Sequence, residues 1–322
     1  METATAVGKA RPMDIETIIT GIGERKSRAI AKAISLVEDG APEADRLLAS
    51  LDPAPIEQAM VAGITGAPGA GKSTLTDKLI AHCRGENRRV GVIGVDPSSP
   101  ITGGAIHGDR VRMMQHALDE EVVIRSMATR GRLGGLCASA GAVARIMAAS
   151  GCDPVIIETV GVGQSEMDII RIADVTALVS APGLGDDIQA LKAGLLEVAD
   201  LMVVNKADKP GADMLAMELR EAVDDREGRV LETIASKGEG VVELFQAMRD
   251  VFHRNEESGK RERRRSEARR AEVVDWALEM LRPHLERMAD EEDVFSGDPR
   301  NRAQAIVDRL VPEDGCQKTE DR

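Results

Sequence analysis

The chain has 322 residues, 43% of them hydrophobic, 30% charged and only 1% aromatic, with a net charge of −13. That length suffices for one large α/β domain with appendages, and with no Tyr, three Phe and one Trp its core has to come from Ala, Val, Leu, Ile and Met. The acidic balance argues against nucleic acid as a partner, because a phosphate backbone needs a basic face, and no apolar run reaches the length of a membrane span.

The first residues, Met1-Glu2-Thr3-Ala4, lack the basic-then-apolar order of a secretory signal. Cys83, Cys137, Cys152 and Cys316 form no CxxC pair, which points to free thiols in a reducing cytoplasm rather than a disulfide frame or a zinc site. Residues 1–58 form an N-terminal helical extension. Ile30, Ala31, Ala33, Ile34 and Val37 fall at helical spacing, the breaker Asp39-Gly40-Ala41-Pro42 follows, and Ala44 to Leu51 reads as a further helix. Pro53 and Pro55 mark a boundary.

Residues 59–250 alternate between apolar runs and helical patterns. The runs fall at 60–65, 90–95, 121–125, 154–158, 175–180, 200–205 and 230–235. This predicts an α/β fold with a doubly wound, mostly parallel sheet and helices on both faces, its phosphates held at the carboxyl ends of the strands. Residues 251–322 form a C-terminal helical arm. Its very basic start, Lys260 to Arg270, reads as a solvated helix face. Ala271, Val274, Leu278, Leu281, Leu285 and Met288 then make a heptad-type seam, which Pro283 is expected to kink or interrupt. The seam packs either on its own domain or against a second subunit, with Trp276 beside it. The residues from Pro312 read as a frayed tail.

The chemistry begins at Gly66-Ala67-Pro68-Gly69-Ala70-Gly71-Lys72-Ser73, a GxxxxGK[ST] loop between an apolar run and the helical opening at Thr74. Such a loop turns backbone N–H groups around phosphate oxygens, and the helix N-terminus adds partial positive charge. Lys72 then reaches the outer phosphates and the Ser73 hydroxyl ligates Mg²⁺. Asn205-Lys206-Ala207-Asp208 is NKxD after a strand. The Asp208 carboxylate accepts from N1–H and the amino group of guanine, donors that adenine does not offer in that arrangement. Lys206 lies along the base, Asn205 ties the base loop to the phosphate loop, and Ser236 with Lys237 offers a backbone N–H to the base oxygen. Asp96 and Glu158 end strands, where carboxylates can hold Mg²⁺ directly or through water. Gly161 brings its N–H to the γ-phosphate. Asp109, three before Arg112 on one helix face, is a candidate to orient water, Arg112 to neutralise phosphate charge, and Gln164 is a further candidate to place the water.

Taken together, Gly66–Ser73, residues 96–112 (DPSSPITGGAIHGDRVR), 127–136 (MATRGRLGGL), 158–166 (ETVGVGQSE), 182–192 and Asn205–Asp208 resemble the MeaB/ArgK-type P-loop GTPases of the SIMIBI class. The resemblance covers most of residues 14–250. It implies a P-loop NTPase fold, hydrolysis of GTP with Mg²⁺ and GTP or GDP as its ligands, and no other cofactor of its own. It also implies a homodimer formed through the C-terminal helices. The implied role is a chaperone that gates cofactor loading and protects an adenosylcobalamin-dependent acyl-CoA mutase, the cobalamin belonging to that client. Two other readings share the motifs: a metal-delivery GTPase of the urease or hydrogenase accessory kind, and a nucleotide-dependent interaction module.

Overall fold

Seven apolar runs become seven parallel strands in the order β3-β2-β4-β1-β5-β6-β7. In this computed structural model residues 13–96, 116, 118–128, 135–159, 165–184, 194–224, 228–291 and 298–310 are described. The strands are β1 (Val61–Thr65), β2 (Val90–Asp96), β3 (Val122–Ala128), β4 (Val155–Thr159), β5 (Val175–Ser180), β6 (Leu201–Asn205) and β7 (Val230–Thr233). Strands β1, β4, β5 and β6 are almost wholly buried, which is why they read as continuous apolar runs rather than alternating ones. The registers Ile64↔Glu158 and Gly94↔Glu158 bring the ends of β1, β2 and β4 together on one edge.

Side chains alternate between the two faces, as a period of two requires. Ile156, Val92 and Val203 join one cluster with Leu75, Leu79, Ile80, Phe245 and Phe252. Their neighbours Val155, Ile157 and Ile93 join a second with Ile146 and Met147. Met202, Val204 and Leu178 pack in a third with Leu215 and Leu219. The helices that supply these residues are α5 (Lys72–Gly85), α6 (Gly135–Ala149), α7 (Ser165–Ile172), α8 (Leu195–Val198), α9 (Ala212–Ala222) and α10 (Val241–Glu257). Cys83 is buried in the first cluster, and that burial pushes its thiol pKa up to about 12, so it serves as a small apolar residue.

The N-terminal segment forms α1 (Ile15–Gly23), α2 (Ser27–Glu38), α3 (Glu43–Ala49) and α4 (Pro53–Gln58). Ile18, Ile22, Ile30, Ile34 and Leu47 lie in the same cluster as Ile93 and Ile157, so this segment covers one face of the sheet. Where sequence suggested a plain boundary, Pro53 instead opens a helix. Asp52 caps it by accepting from Ala54 N at 3.0 Å, and proline at the first helical position gives up no hydrogen bond.

The arm is α11 (Lys260–Glu291) followed by α12 (Pro299–Leu310). Contrary to expectation, α11 runs through Pro283 without interruption. That position is exposed, so water can serve the carbonyl that loses its amide partner. The basic start of α11 is a solvated face only in part: Lys260, Arg263, Arg269 and Arg270 are exposed, whereas Arg261, Arg264 and Arg265 turn inward. Arg264 pairs with both carboxylate oxygens of Asp200, at 2.8 and 3.0 Å. Arg265 pairs with both of Asp174, at 2.7 and 2.8 Å. Arg261 is buried over the Phe252 ring, 4.6 Å from its centroid. Asp174 and Asp200 sit at the amino ends of β5 and β6, so the arm is clamped to the edge opposite the phosphate loop. The heptad seam is split: Ala271 is half-buried, whereas Val274, Leu278 and Leu281 are exposed.

Candidate nucleotide site

Three strand ends build the site. Between β1 and α5 the loop Gly66–Ser73 turns through left-handed backbone. Gly66 has φ 134°, and a Cβ there would lie 2.0 Å from the Val179 carbonyl oxygen. Gly71 has φ 94°, and a Cβ there would meet the Asn205 amide at 2.3 Å. Only glycine permits both the turn and the close approach. Ala67 and Ala70 are buried, Pro68 and Gly69 are exposed, and Thr74 is half-buried in the first turn of α5. Lys72 is the first residue of that helix and is 5% exposed. Its Nζ donates to Gly66 O at 2.7 Å and to Ala67 O at 2.9 Å.

From β4, Glu158 reaches back to the same helix. It is 4% exposed, and Ser73 Oγ donates to its Oε1 at 2.5 Å. Next to it Thr159 Oγ1 donates to Thr65 Oγ1 at 3.3 Å, joining the ends of β4 and β1. Asp96 closes β2, its backbone paired with Ala128 of β3, while its side chain lies outside the described residues.

From β6, Asn205 joins three elements. Its Nδ2 donates to Ala70 O at 2.8 Å, and its Oδ1 accepts from Thr233 Oγ1 at 3.1 Å and from Ala235 N at 3.0 Å. Lys206 takes φ 59°, which turns the chain out of the strand, and its Nζ donates to Gly69 O at 2.7 Å. Asp208 is open to solvent, with Lys209 Nζ 3.9 Å away. Ser236 and Lys237 are exposed on the 3-10 turn Ala235–Lys237, which Gly238 ends in left-handed conformation. The phosphate loop, Glu158 and the NKxD residues thus converge on one edge. Asp109, Arg112, Gly161 and Gln164 lie outside the described residues.

Sequence reasoning missed Thr233, whose hydroxyl fixes the Asn205 amide, and the contact between His116 Nε2 and Asp77 Oδ1 at 3.1 Å. Asp77 sits one turn after Ser73 on α5, a spacing that could have flagged it. His116 is distant in sequence and carried no signal.

The model for the methylmalonyl Co-A mutase-associated GTPase MeaB matches residues 30–291. The chain belongs to the MeaB family. It is accordingly a GTPase, and its fold is that of the P-loop NTPases. A Pyrococcus horikoshii relative carrying a GTPase name is 43% identical over 313 residues, 92% of this chain and 98% of its own. The Escherichia coli GTPase ArgK is 38% identical over 267 residues, 79% of each chain. The mouse (Mus musculus) methylmalonic aciduria type A homolog, mitochondrial, is 35% identical over 207 residues, 61% of this chain and 50% of its own. A crystal structure of an LAO/AO transport system kinase superposes on this MeaB-family chain with a TM-score of 0.66 at 25% identity. It covers 95% of this chain and 99% of that one. No helix among the described residues is long and apolar enough to cross a membrane.

Proposed function

We propose that this MeaB-family GTPase binds GTP with Mg²⁺ across the ends of β1, β4 and β6, and uses hydrolysis to time a handover to an adenosylcobalamin-dependent acyl-CoA mutase of the methylmalonyl-CoA type. The observation that carries the nucleotide part is the buried network in which one amide, Asn205, ties the phosphate loop at Ala70 to the base side at Ala235. Shape and register at the two ends of a nucleotide are then set together. The backbone amides of Gly69 to Ser73 and the start of α5 supply a cradle for phosphate oxygens. Lys72, now seated on two neutral carbonyls, exchanges them for charged phosphate.

Ser73 and Glu158 fit a hard cation, being two oxygen donors already 2.5 Å apart in a buried place, and Asp96 ends the neighbouring strand. Ser73 and Glu158, with Asp96, would hold Mg²⁺ there, and the cation would supply charge neutralisation at the phosphate oxygens when GDP leaves. Asp109, Arg112 and Gln164 are the residues proposed to place water and offset charge, and Gly161 the amide proposed for the γ-phosphate. On the base side, Asp208 accepts from guanine. Asp208→Asn is expected to weaken GTP binding by orders of magnitude and to improve xanthosine triphosphate, because the amide offers a donor where guanine also donates. Competition binding with both nucleotides checks this; unchanged GTP affinity would remove Asp208 from the base site.

The client is supported by the family's description and by the name of the mouse relative. Exposed Val273, Val274, Leu278, Met280 and Leu281 on α11 support a homodimer through the arm, and the proposed compartment is the cytoplasm. The deciding experiment is GTP hydrolysis by the purified chain, alone and with a methylmalonyl-CoA-type mutase. Acceleration by the mutase is expected; a rate that the mutase leaves unchanged refutes that client.

A further inference from the structure

Beyond its clamp, α11 lies across two helices, α6 and α7. Both start close to the nucleotide edge. Helix α6 follows β3 after residues 129–134, and α7 follows Thr159 of β4 after residues 160–164. The seat of the arm therefore rests on two helices that both begin at the carboxyl edge of the sheet, α7 just after the residues that hold Gly161.

The joint is built unlike the clamp. At its centre Arg145 of α6 and Glu272 of α11 make a two-pronged pair, both hydrogen bonds 2.7 Å long. One turn further, Trp276 packs half-buried on the core cluster that holds Val143 and Ile146. Asp275 faces α7: burial raises its carboxyl pKa, Asp168 and Glu272 add to that, and Arg171 opposes it. Around these contacts lies a cavity of about 100 Å³. It is partly open to solvent, and small residues of α6 and α11 (Gly141, Ala144, Ala148, Ala268 and Ala271) line it together with charged ones, Arg171 and Arg265 among them.

Close packing is what resists displacement, and here the three helices are not packed closely. Small residues along such a gap let helices slide past one another while losing few contacts, the shear type of motion. The bidentate Arg145–Glu272 pair keeps register as they do so. The clamp at Arg261, Arg264 and Arg265 fixes the near end of α11, so displacement is concentrated beyond it.

We propose that this joint is a shear coupling through which the nucleotide bound at the carboxyl edge sets the seating of the C-terminal arm, with Arg145–Glu272 as its pivot. The proposal rests on the nucleotide-site reading above. Linkage makes the coupling reciprocal: if GTP and GDP seat the arm differently, a change in seating alters the ratio of their affinities.

The chain carries its own reporter, since Trp276 is its single tryptophan. Its emission is to be recorded for the full chain without nucleotide, with GDP, and with a non-hydrolysable GTP analogue, at two protein concentrations, with calorimetry following binding of each nucleotide. The expected result is a different Trp276 emission with the GTP analogue than with GDP, independent of concentration. Glu272→Gln is expected to shrink that difference and to change the GTP:GDP affinity ratio by about fivefold or more. Identical emission in all three states while calorimetry registers binding overturns the coupling and leaves the nucleotide site standing. A difference that depends on protein concentration also overturns it, assigning the signal to association of copies. An unchanged affinity ratio in Glu272→Gln overturns the pivot. Absence of any binding heat overturns the nucleotide site, and the coupling with it.

Discussion

Lys72→Ala is expected to lower the rate of GTP hydrolysis by roughly 10²–10³-fold, the scale seen when one positioned donor to developing charge is removed. Lys72 is 5% exposed, and its ammonium sits within 2.9 Å of two loop carbonyls. Those carbonyls hold it at the mouth of the loop. A phosphate arriving there offers charge in place of neutral oxygen, and charge-assisted hydrogen bonds are the stronger kind. Lys72→Arg is expected to fail as well. A planar fork needs more width than a point charge, and the loop is closed tightly by Gly66 and Gly71. Phosphate release at saturating GTP, with KM from the same series, measures both variants. Circular dichroism checks that they remain folded. Wild-type turnover in Lys72→Ala would take this side chain out of the reaction.

How far the sequence foretold this arrangement depends on where each partner lies along the chain. The strands were legible because parallel strands buried on both faces leave unbroken apolar runs, as in Val155-Ile156-Ile157. The phosphate loop and NKxD were legible because each is a short contiguous segment with its chemistry written in residue type. The link between them was partly so: Asn205 was readable, whereas Thr233, which orients its amide, looks like any strand threonine. The arginine clamp was not legible. Arg265 lies 91 residues from Asp174, and Arg264 lies 64 from Asp200. A run of basic residues on a helix ordinarily faces water, and nothing local distinguishes a buried one. The room around Ala144, Ala268 and Ala271 was hidden for the same reason, since a void is a property of three helices at once.

The clamp has its own large expected effect. Asp174→Ala is expected to destabilise the fold by about 3–5 kcal/mol, the range for removing one partner of a buried ion pair. Asp174 has a side chain only 2% exposed. It accepts from Arg265 twice and from Val61 N at 2.9 Å, and Arg261 Nε lies 3.8 Å from its Oδ1. Without the carboxylate, two guanidinium groups remain in a poorly solvated place, and the first amide of β1 loses its acceptor. Other acceptors remain for Arg265, but Ala59 O at 3.1 Å and Ile56 O at 3.3 Å are neutral, and the one charged acceptor left, Glu57, is water-screened. Glu57→Ala is the matched comparison, because Glu57 pairs with the same Arg265 at 3.1 Å from a side chain 52% exposed. Water screens that pair, so its loss is expected to cost about 1 kcal/mol or less. Urea midpoints at unchanged slope compare the two. If Asp174→Ala costs no more than Glu57→Ala, the arm is held by its apolar contacts instead. If the expected gap is found, the basic run of α11 anchors the arm to the sheet, which the joint at Arg145 and Glu272 requires of its fixed end.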